Sequence, residues 1–167
     1  MPRSDPLFDV EGLDLTRVVV TTEQVREVNA QRYEFEMLQG LHHYDRERVL
    51  GVGFRKIQAD EFWVRGHIPG RPLFPGVLQL ETAAQLCSYM YYTCVPGAME
   101  GHFFGFAGIT ACRFLDVVAP GDHLLVVARG RKLRRRLAIF DTQGFVDGRP
   151  AFEAEIKGAR LGAAPDA

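Results

Sequence analysis

The order of apolar segments along this 167-residue chain predicts an α+β fold, a curved antiparallel sheet wrapped around one central helix. Three observations carry that expectation. Strand-like segments rich in β-branched and aromatic residues flank a single long stretch, from Val77 to about Thr93, that contains no proline or glycine. That stretch is apolar around most of its circumference, which calls for burial on nearly every side. After it come four strand-like runs, FFGFAGITACRFLDVV, HLLVVARG, RRRLAIFDTQGFV and PAFEAEIKGARL. Strands gathered around a lone helix form α+β architectures rather than alternating βαβ units.

The elements follow in order. Residues 1–17, broken by prolines and acids, are expected as a loosely ordered lead-in. One domain should occupy 18–162, with 163–167 as a tail. VVVTTEQVREV (18–28) gives a short apolar run and then a helix start, where Thr21 and Gln24 fit a capping box. LHHYDRER, with His42 and His43, reads as a solvated loop. VLGVGFRKI and FWVRG read as strands separated by a QADE turn. Gly66 to Pro75 is punctuated by three prolines and cannot be regular helix. The long helix should start at Pro75 or Gly76, where a proline loses only a donor that would be orphaned anyway. It should run to about Thr93, a rod about 27 Å long. Asp147-Gly148 supplies a hairpin turn between the last two strands.

Composition narrows the function classes. A hydrophobic content of 47% suits a core, and a formal net charge of −1 gives no reason to expect nucleic acid as a partner. Cys87, Cys94 and Cys112 form no C-x-x-C pair, so neither a disulfide framework nor a zinc site is indicated. No apolar run is long enough for a membrane span, and the N-terminus lacks a signal-peptide core. A cytoplasmic protein is expected.

The segment GHIPGRPLFPGVLQLETAAQ (66–85) sets the functional question. Glu81 is the only acidic residue between Glu61 and Glu100, and it stands inside the apolar helix. A carboxylate buried without a partner costs several kcal/mol, so it either pairs or takes a proton. A carboxyl group so placed can act as an acid, and a neighbouring histidine, His67, can act as a base. Taken singly, a helical glutamate is more often solvated and a loop histidine more often a hydrogen-bonding residue. The intervening prolines stiffen the loop and lower the cost of holding His67 in place. Gly76, at the positive end of the helix, offers a backbone N–H to a developing oxyanion. Together these residues describe a proton-transfer site.

The same segment resembles the signature of the bacterial β-hydroxyacyl-acyl-carrier-protein dehydratases, G-H-F-P-G-x-P-x-x-P-G-V-L followed by a glutamate and an A-Q pair. FFGFAGITACRFLDVVAPGDHLLV resembles the family's F-A-G-I-x-x-x-R-F stretch with its P-G-D turn, and QRYEFEML its R-Y-P-F-L-L segment. The resemblance implies a hotdog fold and the dehydration of a (3R)-3-hydroxyacyl thioester to its trans-2-enoyl product. His67 and Glu81 would be the catalytic base and acid, at the family's separation of fourteen. Gly76 would polarise the thioester carbonyl, with Gly108 of the FAGI turn a second candidate. Gln85 would hold Glu81, and Pro75 would support the helix start. Phe74, Leu78, Tyr89 and Phe106 would line the acyl tunnel. The implied partners are an acyl-carrier-protein or CoA thioester and a second copy of the chain. In that homodimer His67 of one protomer faces Glu81 of the other, and a further trimer of dimers is left open. No metal or organic cofactor is implied, because the thioester itself acidifies the α-proton.

Several positions depart from the family pattern. Glu34 and Glu36 replace proline and an apolar residue, Gln39-Gly40 an Asp-Arg pair, and Thr110-Ala111 an Asp-Lys pair. Tyr89, Met90, Tyr91 and Tyr92 are bulkier than the family's small residues, either reshaping the tunnel towards a specialised acyl chain or packing in the core. The run RKLRRR (131–136) reads first as a charged strand face, with attraction of an acidic carrier protein as the alternative. Rival functions are a catalytically inactive acyl-binding subunit, a CoA-dependent hydratase and a thioesterase, the last disfavoured by the intact His67 and Pro-Gly loop.

Overall fold

A computed structural model describes residues 5–98, 100 and 102–163. Its elements are α1 (Thr22–Arg26), a 3-10 turn at Tyr33–Phe35, β1 (Gly40–Asp45), β2 (Leu50–Lys56), α2 (Gly76–Cys94), β3 (His102–Phe114), β4 (His123–Arg134), β5 (Leu137–Val146) and β6 (Arg149–Ala163). The six strands form one sheet in the order β1-β2-β4-β5-β6-β3. Every neighbouring pair is antiparallel. One face of the sheet curls around α2, the arrangement expected from the lone uninterrupted helix.

The α2 side of the sheet holds the main core, where Leu86, Met90 and Tyr91 pack with Leu41, Leu124, Val126, Phe140, Phe152 and Ile156. Each large apolar side chain withdrawn from water there contributes about 1.5–3 kcal/mol. Two strand glycines set how closely helix and sheet approach. A Cβ on Gly51 would lie 2.9 Å from Met90 Sδ of the helix, and one on Gly53 3.4 Å from Leu86 Cδ2 and only 2.6 Å from Leu38 Cδ1, which packs beside it.

The other face of the sheet is covered too. Val52, Phe54, Leu125, Val127 and Phe145 form a second cluster with Val10, joined by Leu7, Phe8 and Leu13. The lead-in expected to be loosely ordered therefore packs across the sheet from Leu7 to Leu13, and Leu7 N–H donates to Gln143 Oε1 at 2.8 Å. Burial on both faces explains why β4 reads LLVV without alternation. Residues 1–4 and 164–167 lie outside the described residues, and residue 163 of the expected tail closes β6.

Other expectations fare unevenly. Thr21 and Gln24 form the capping box of α1, and Asp147 (φ 49°) with Gly148 (φ 73°) makes the β5–β6 turn, as the left-handed preference of that dipeptide requires. LHHYD is not a solvated loop but the body of β1, and His42 is buried there. FWVRG is not a strand. Residues 61–71 are turns and bends, because Glu61 turns inward to an ion pair with Arg55 of β2 and draws Trp63 into the core. RKLRRR spans the end of β4 and its turn to β5, with Arg135 and Arg136 at the tip.

Candidate active site

His67 lies on the exposed loop between β2 and α2. Its N–H donates to Trp63 O at 2.9 Å. The following Ile68-Pro69-Gly70-Arg71 is a tight turn, closed by Arg71 N–H to Ile68 O at 3.0 Å with Gly70 at φ 79°. Proline at the second position and a left-handed glycine at the third specify that turn. On the imidazole, Nδ1 sits 2.9 Å from Leu73 O. A carbonyl only accepts, so Nδ1 carries a proton, and in the neutral imidazole the lone pair is then on Nε2. The loop thus presents the imidazole in the tautomer of a base.

Glu81 is half-buried on the second turn of α2, and its Oε1 accepts from Gln85 Nε2 at 2.7 Å. Gln85, 2% exposed, is fully committed. Its Nε2 also donates to Phe35 O at 2.7 Å, while its Oε1 accepts the N–H groups of Met37 (2.9 Å) and Leu38 (3.0 Å). The carbonyl of Gln85 accepts from Asn29 Nδ2 at 2.9 Å. The carboxyl group is therefore set by a support that reaches from the helix to the 35–38 segment. Among the described residues, no hydrogen bond within the chain joins His67 to Glu81.

Pro75 is the N-cap of α2, and its carbonyl accepts the first intrahelical bonds, from Leu78 (2.9 Å) and Gln79 (3.1 Å). The N–H groups of Gly76 and Val77 precede those bonds and belong to the positive end of the helix dipole. The ring of Phe114 lies over Gly76, where a Cβ would meet it at 2.7 Å. Gly108 stands in β3 rather than in a turn, at a bulge opposite Lys157. The remaining expected residues are dispersed. Phe74 is buried against Trp63, with ring centroids 5.4 Å apart. Tyr89 is buried beside Tyr44, Leu78 is partly buried, and Phe106 is 53% exposed on β3.

Tyr91 and Tyr92 do not point their hydroxyls to solvent. Tyr91 Oη donates to Arg135 O at 2.8 Å, and Tyr92 Oη accepts from Phe104 N–H at 2.7 Å. Burial pushes the Cys87 thiol well above its ordinary range, which rules it out as a nucleophile. The three cysteines are free. Among the described residues no group of three or more histidine, cysteine or acidic side chains could hold a metal ion, and no helix is long and apolar enough to cross a membrane. The sequence reading missed the Arg55–Glu61 pair and Asn29. An acid six residues after a basic strand residue, just before a histidine loop, was the available signal for the pair.

The chain is similar to known proteins in sequence and in fold. A family model described as the FabA-like domain matches residues 29–155. The 3-hydroxyacyl-[acyl-carrier-protein] dehydratase FabZ of Escherichia coli strain HS is 33% identical over 138 residues, covering 83% of this chain and 91% of that protein. The FabZ dehydratase of Cronobacter sakazakii shows the same identity and coverage. Among solved structures, a mutant thioesterase of Pseudomonas aeruginosa superposes with a TM-score of 0.65 at 18% identity, over 89% of this chain and 98% of that one. The dehydratase heterocomplex ApeI:P of Xenorhabdus doucetiae gives 0.51 at 25% identity, over 68% and 89%. The thioesterase match concerns the hotdog fold alone.

Proposed function

The chain belongs to the FabA-like domain family, and on that premise we propose that it dehydrates (3R)-3-hydroxyacyl thioesters on an acyl carrier protein to trans-2-enoyl thioesters, with His67 as base and Glu81 as acid. The observation that carries the assignment of roles is the His67 Nδ1 bond to Leu73 O, which leaves Nε2 as an acceptor on an exposed loop. His67 Nε2 takes the α-proton, and the C–H electrons become the new Cα=Cβ bond. The Cβ–O bond breaks as Glu81 delivers its proton to the departing hydroxyl, which leaves as water. Transfer of the proton from His67 back to Glu81 restores the starting state. Charge gathers on the thioester oxygen during the first step, and the Gly76 N–H at the start of α2 would receive it. Gly108 is the second candidate donor.

The two catalytic groups come from different protomers in this reading. The outer edge of β3 has no strand partner among the described residues. A thirteen-residue open edge with Phe106 and Phe114 half-exposed invites pairing with another copy. Ile68, Val77 and Val117 add exposed apolar surface from the loops and helix start. Antiparallel pairing of two β3 edges about a two-fold axis would cover such surface and close the site.

The test is hydration of an enoyl thioester, the reverse reaction, followed by loss of the conjugated enoyl absorbance. Wild type should be active, and His67→Ala and Glu81→Gln should each lose at least ~10²-fold. Either variant retaining wild-type turnover would end the assignment.

A further inference from the structure

Arg55 of β2 is only 6% exposed and bonds both to the segment that leads to the His67 loop and to the segment that supports Glu81. Its guanidinium divides its donors between them. Nη2 donates to Glu61 Oε2 at 2.5 Å. Glu61 is held in turn by Trp63 Nε1 on the same oxygen (2.8 Å) and by Gln58 N–H on Oε1 (2.9 Å). The carbonyl of Trp63 then accepts the backbone N–H of His67. On the other branch, Nη1 donates to Glu36 O (3.0 Å) and Met37 O (3.1 Å). Met37 N–H is one of the two donors that fix Gln85 Oε1, and Gln85 holds Glu81. The guanidinium carbon also lies 5.7 Å from the centroid of Phe74, the residue that precedes Pro75 and Gly76.

We infer that Arg55 is a positioning residue for the dehydration, fixing within each protomer the His67 loop, which serves one shared site, and the Glu81 support, which serves the other. The inference rests on His67 and Glu81 being base and acid. A planar fork with five donors can serve a carboxylate and two carbonyls at once, which a single ammonium cannot match in geometry. A buried ion pair is a poor means of adding stability, since apolar replacements of similar volume often serve as well. Here the pair ties two segments, each one step from a reacting side chain, to the same strand, so that each protomer presents His67 to one shared site and Glu81 to the other from fixed positions. A misplacement of about 1 Å at such a site can cost about 10²-fold in rate.

The experiment compares wild type, His67→Ala, Glu81→Gln, Arg55→Lys, Arg55→Met and the double variant Arg55→Met/Glu61→Gln in the enoyl-thioester assay, with circular dichroism and light scattering as controls. The double variant removes the carboxylate that Arg55→Met strands, so it keeps the comparison readable if the single variant fails to fold. The expected result is a kcat lower by about 10²-fold in the folded arginine-to-methionine protein, with KM changed less than about threefold. Arg55→Lys should recover about tenfold of that loss by restoring the charge opposite Glu61. A folded Arg55→Met/Glu61→Gln protein with wild-type kcat would overturn the inference while leaving the base and acid intact. Inactive wild type, or active His67→Ala and Glu81→Gln, would instead overturn the dehydration reading, and this inference with it.

Discussion

Gln85 lies one helical turn beyond Glu81 and donates to its Oε1 at 2.7 Å, while the rest of the same amide is bonded to the backbone of residues 35, 37 and 38. A flipped amide would set its oxygen against the Phe35 carbonyl and the Glu81 carboxyl and its NH2 against two N–H groups. Its orientation is therefore unique, and so is the direction from which Glu81 is held.

Gln85→Ala should damage both stability and turnover. It strands the N–H groups of Met37 and Leu38 and the carbonyl of Phe35, each worth about 1–3 kcal/mol when buried and unpaired. Gln85→Glu keeps the volume but loses both N–H donors and faces a second carboxyl group. We expect denaturant unfolding to show a loss of at least about 2 kcal/mol for the alanine variant, and turnover to fall in both. A glutamate variant as active as wild type would show that the amide does not orient Glu81.

The parts of the fold legible in sequence were those with one local solution. Asp147-Gly148 had to turn because two successive residues adopt positive φ. The helix after Pro75 was bounded by a proline and had no internal breaker. Residues governed by distant partners were not legible. Trp63 has strand propensity, but Glu61 answers to Arg55, and the ion pair decides the local backbone. Leu7, Phe8 and Val10 stand among prolines and acids, and only the apolar outer face of β2 and β4 gives them a place. For the site, the motif named His67, Gly76, Glu81 and Gln85. It did not name Arg55, whose bonds to the Glu36 and Met37 carbonyls leave no side-chain pattern and whose pairing with Glu61 was marked only by the spacing of the two residues.

The histidines of the outer face predict a pH dependence of stability. His42 Nδ1 donates to Arg17 O (2.8 Å), so its Nε2 is free to accept from His123 Nε2 at 3.4 Å. Burial, then the nearby His42 and Lys56, hold the His123 imidazole below its ordinary value, against a weaker opposing pull from Asp147. In the unfolded chain His123 takes a proton near the ordinary value, about 6.5; in the folded chain it does so only at lower pH. Between those two values the unfolded state binds the extra proton, so stability is complete above the ordinary value and falls as pH drops below it. The denaturation midpoint should decline between about pH 7.5 and about pH 5.5, less steeply in His123→Gln. Equal slopes in the two proteins would remove His123 as the source.

The basic tip of the β4–β5 hairpin predicts a split between substrates. Arg134, Arg135 and Arg136 are exposed there, and the tip is tied to α2 by the Tyr91 hydroxyl on Arg135 O. Arg131, by contrast, is engaged by Asp141 and Glu155 on the strand face. If the tip receives an acidic carrier, reversing the three charges to glutamate should raise KM for a carrier-bound substrate by about tenfold or more and leave a small thioester substrate unchanged. The difference should shrink as salt is added, because exposed charges are screened over about 10 Å at 0.1 M. Equal kinetics with both substrates would return the arginines to the role of a solvated turn.

A shared site has a consequence that no single variant tests. On the proposed roles His67→Ala removes the base and Glu81→Gln the acid, so in the proposed dimer either variant alone lacks a complete pair. In a mixed dimer with sites shared across a two-fold axis, the Glu81→Gln chain supplies His67 and the His67→Ala chain supplies Glu81 to one intact site, and both lesions fall in the other. Random exchange of equal amounts makes about half of the dimers mixed, with one of two sites working, so activity should return to about a quarter of wild type. If both groups serve within their own protomer, every site carries one lesion and mixing restores nothing. Co-expression of the two chains with different tags, purification of the mixed dimer and the enoyl-hydration assay separate these outcomes, the purified mixed dimer, with one working site of two, being expected at about half of wild type. The same preparation with Phe106→Glu in both chains should lose the recovered activity if the open β3 edge is where the protomers meet, because the two-fold sets each added charge close to its symmetry mate.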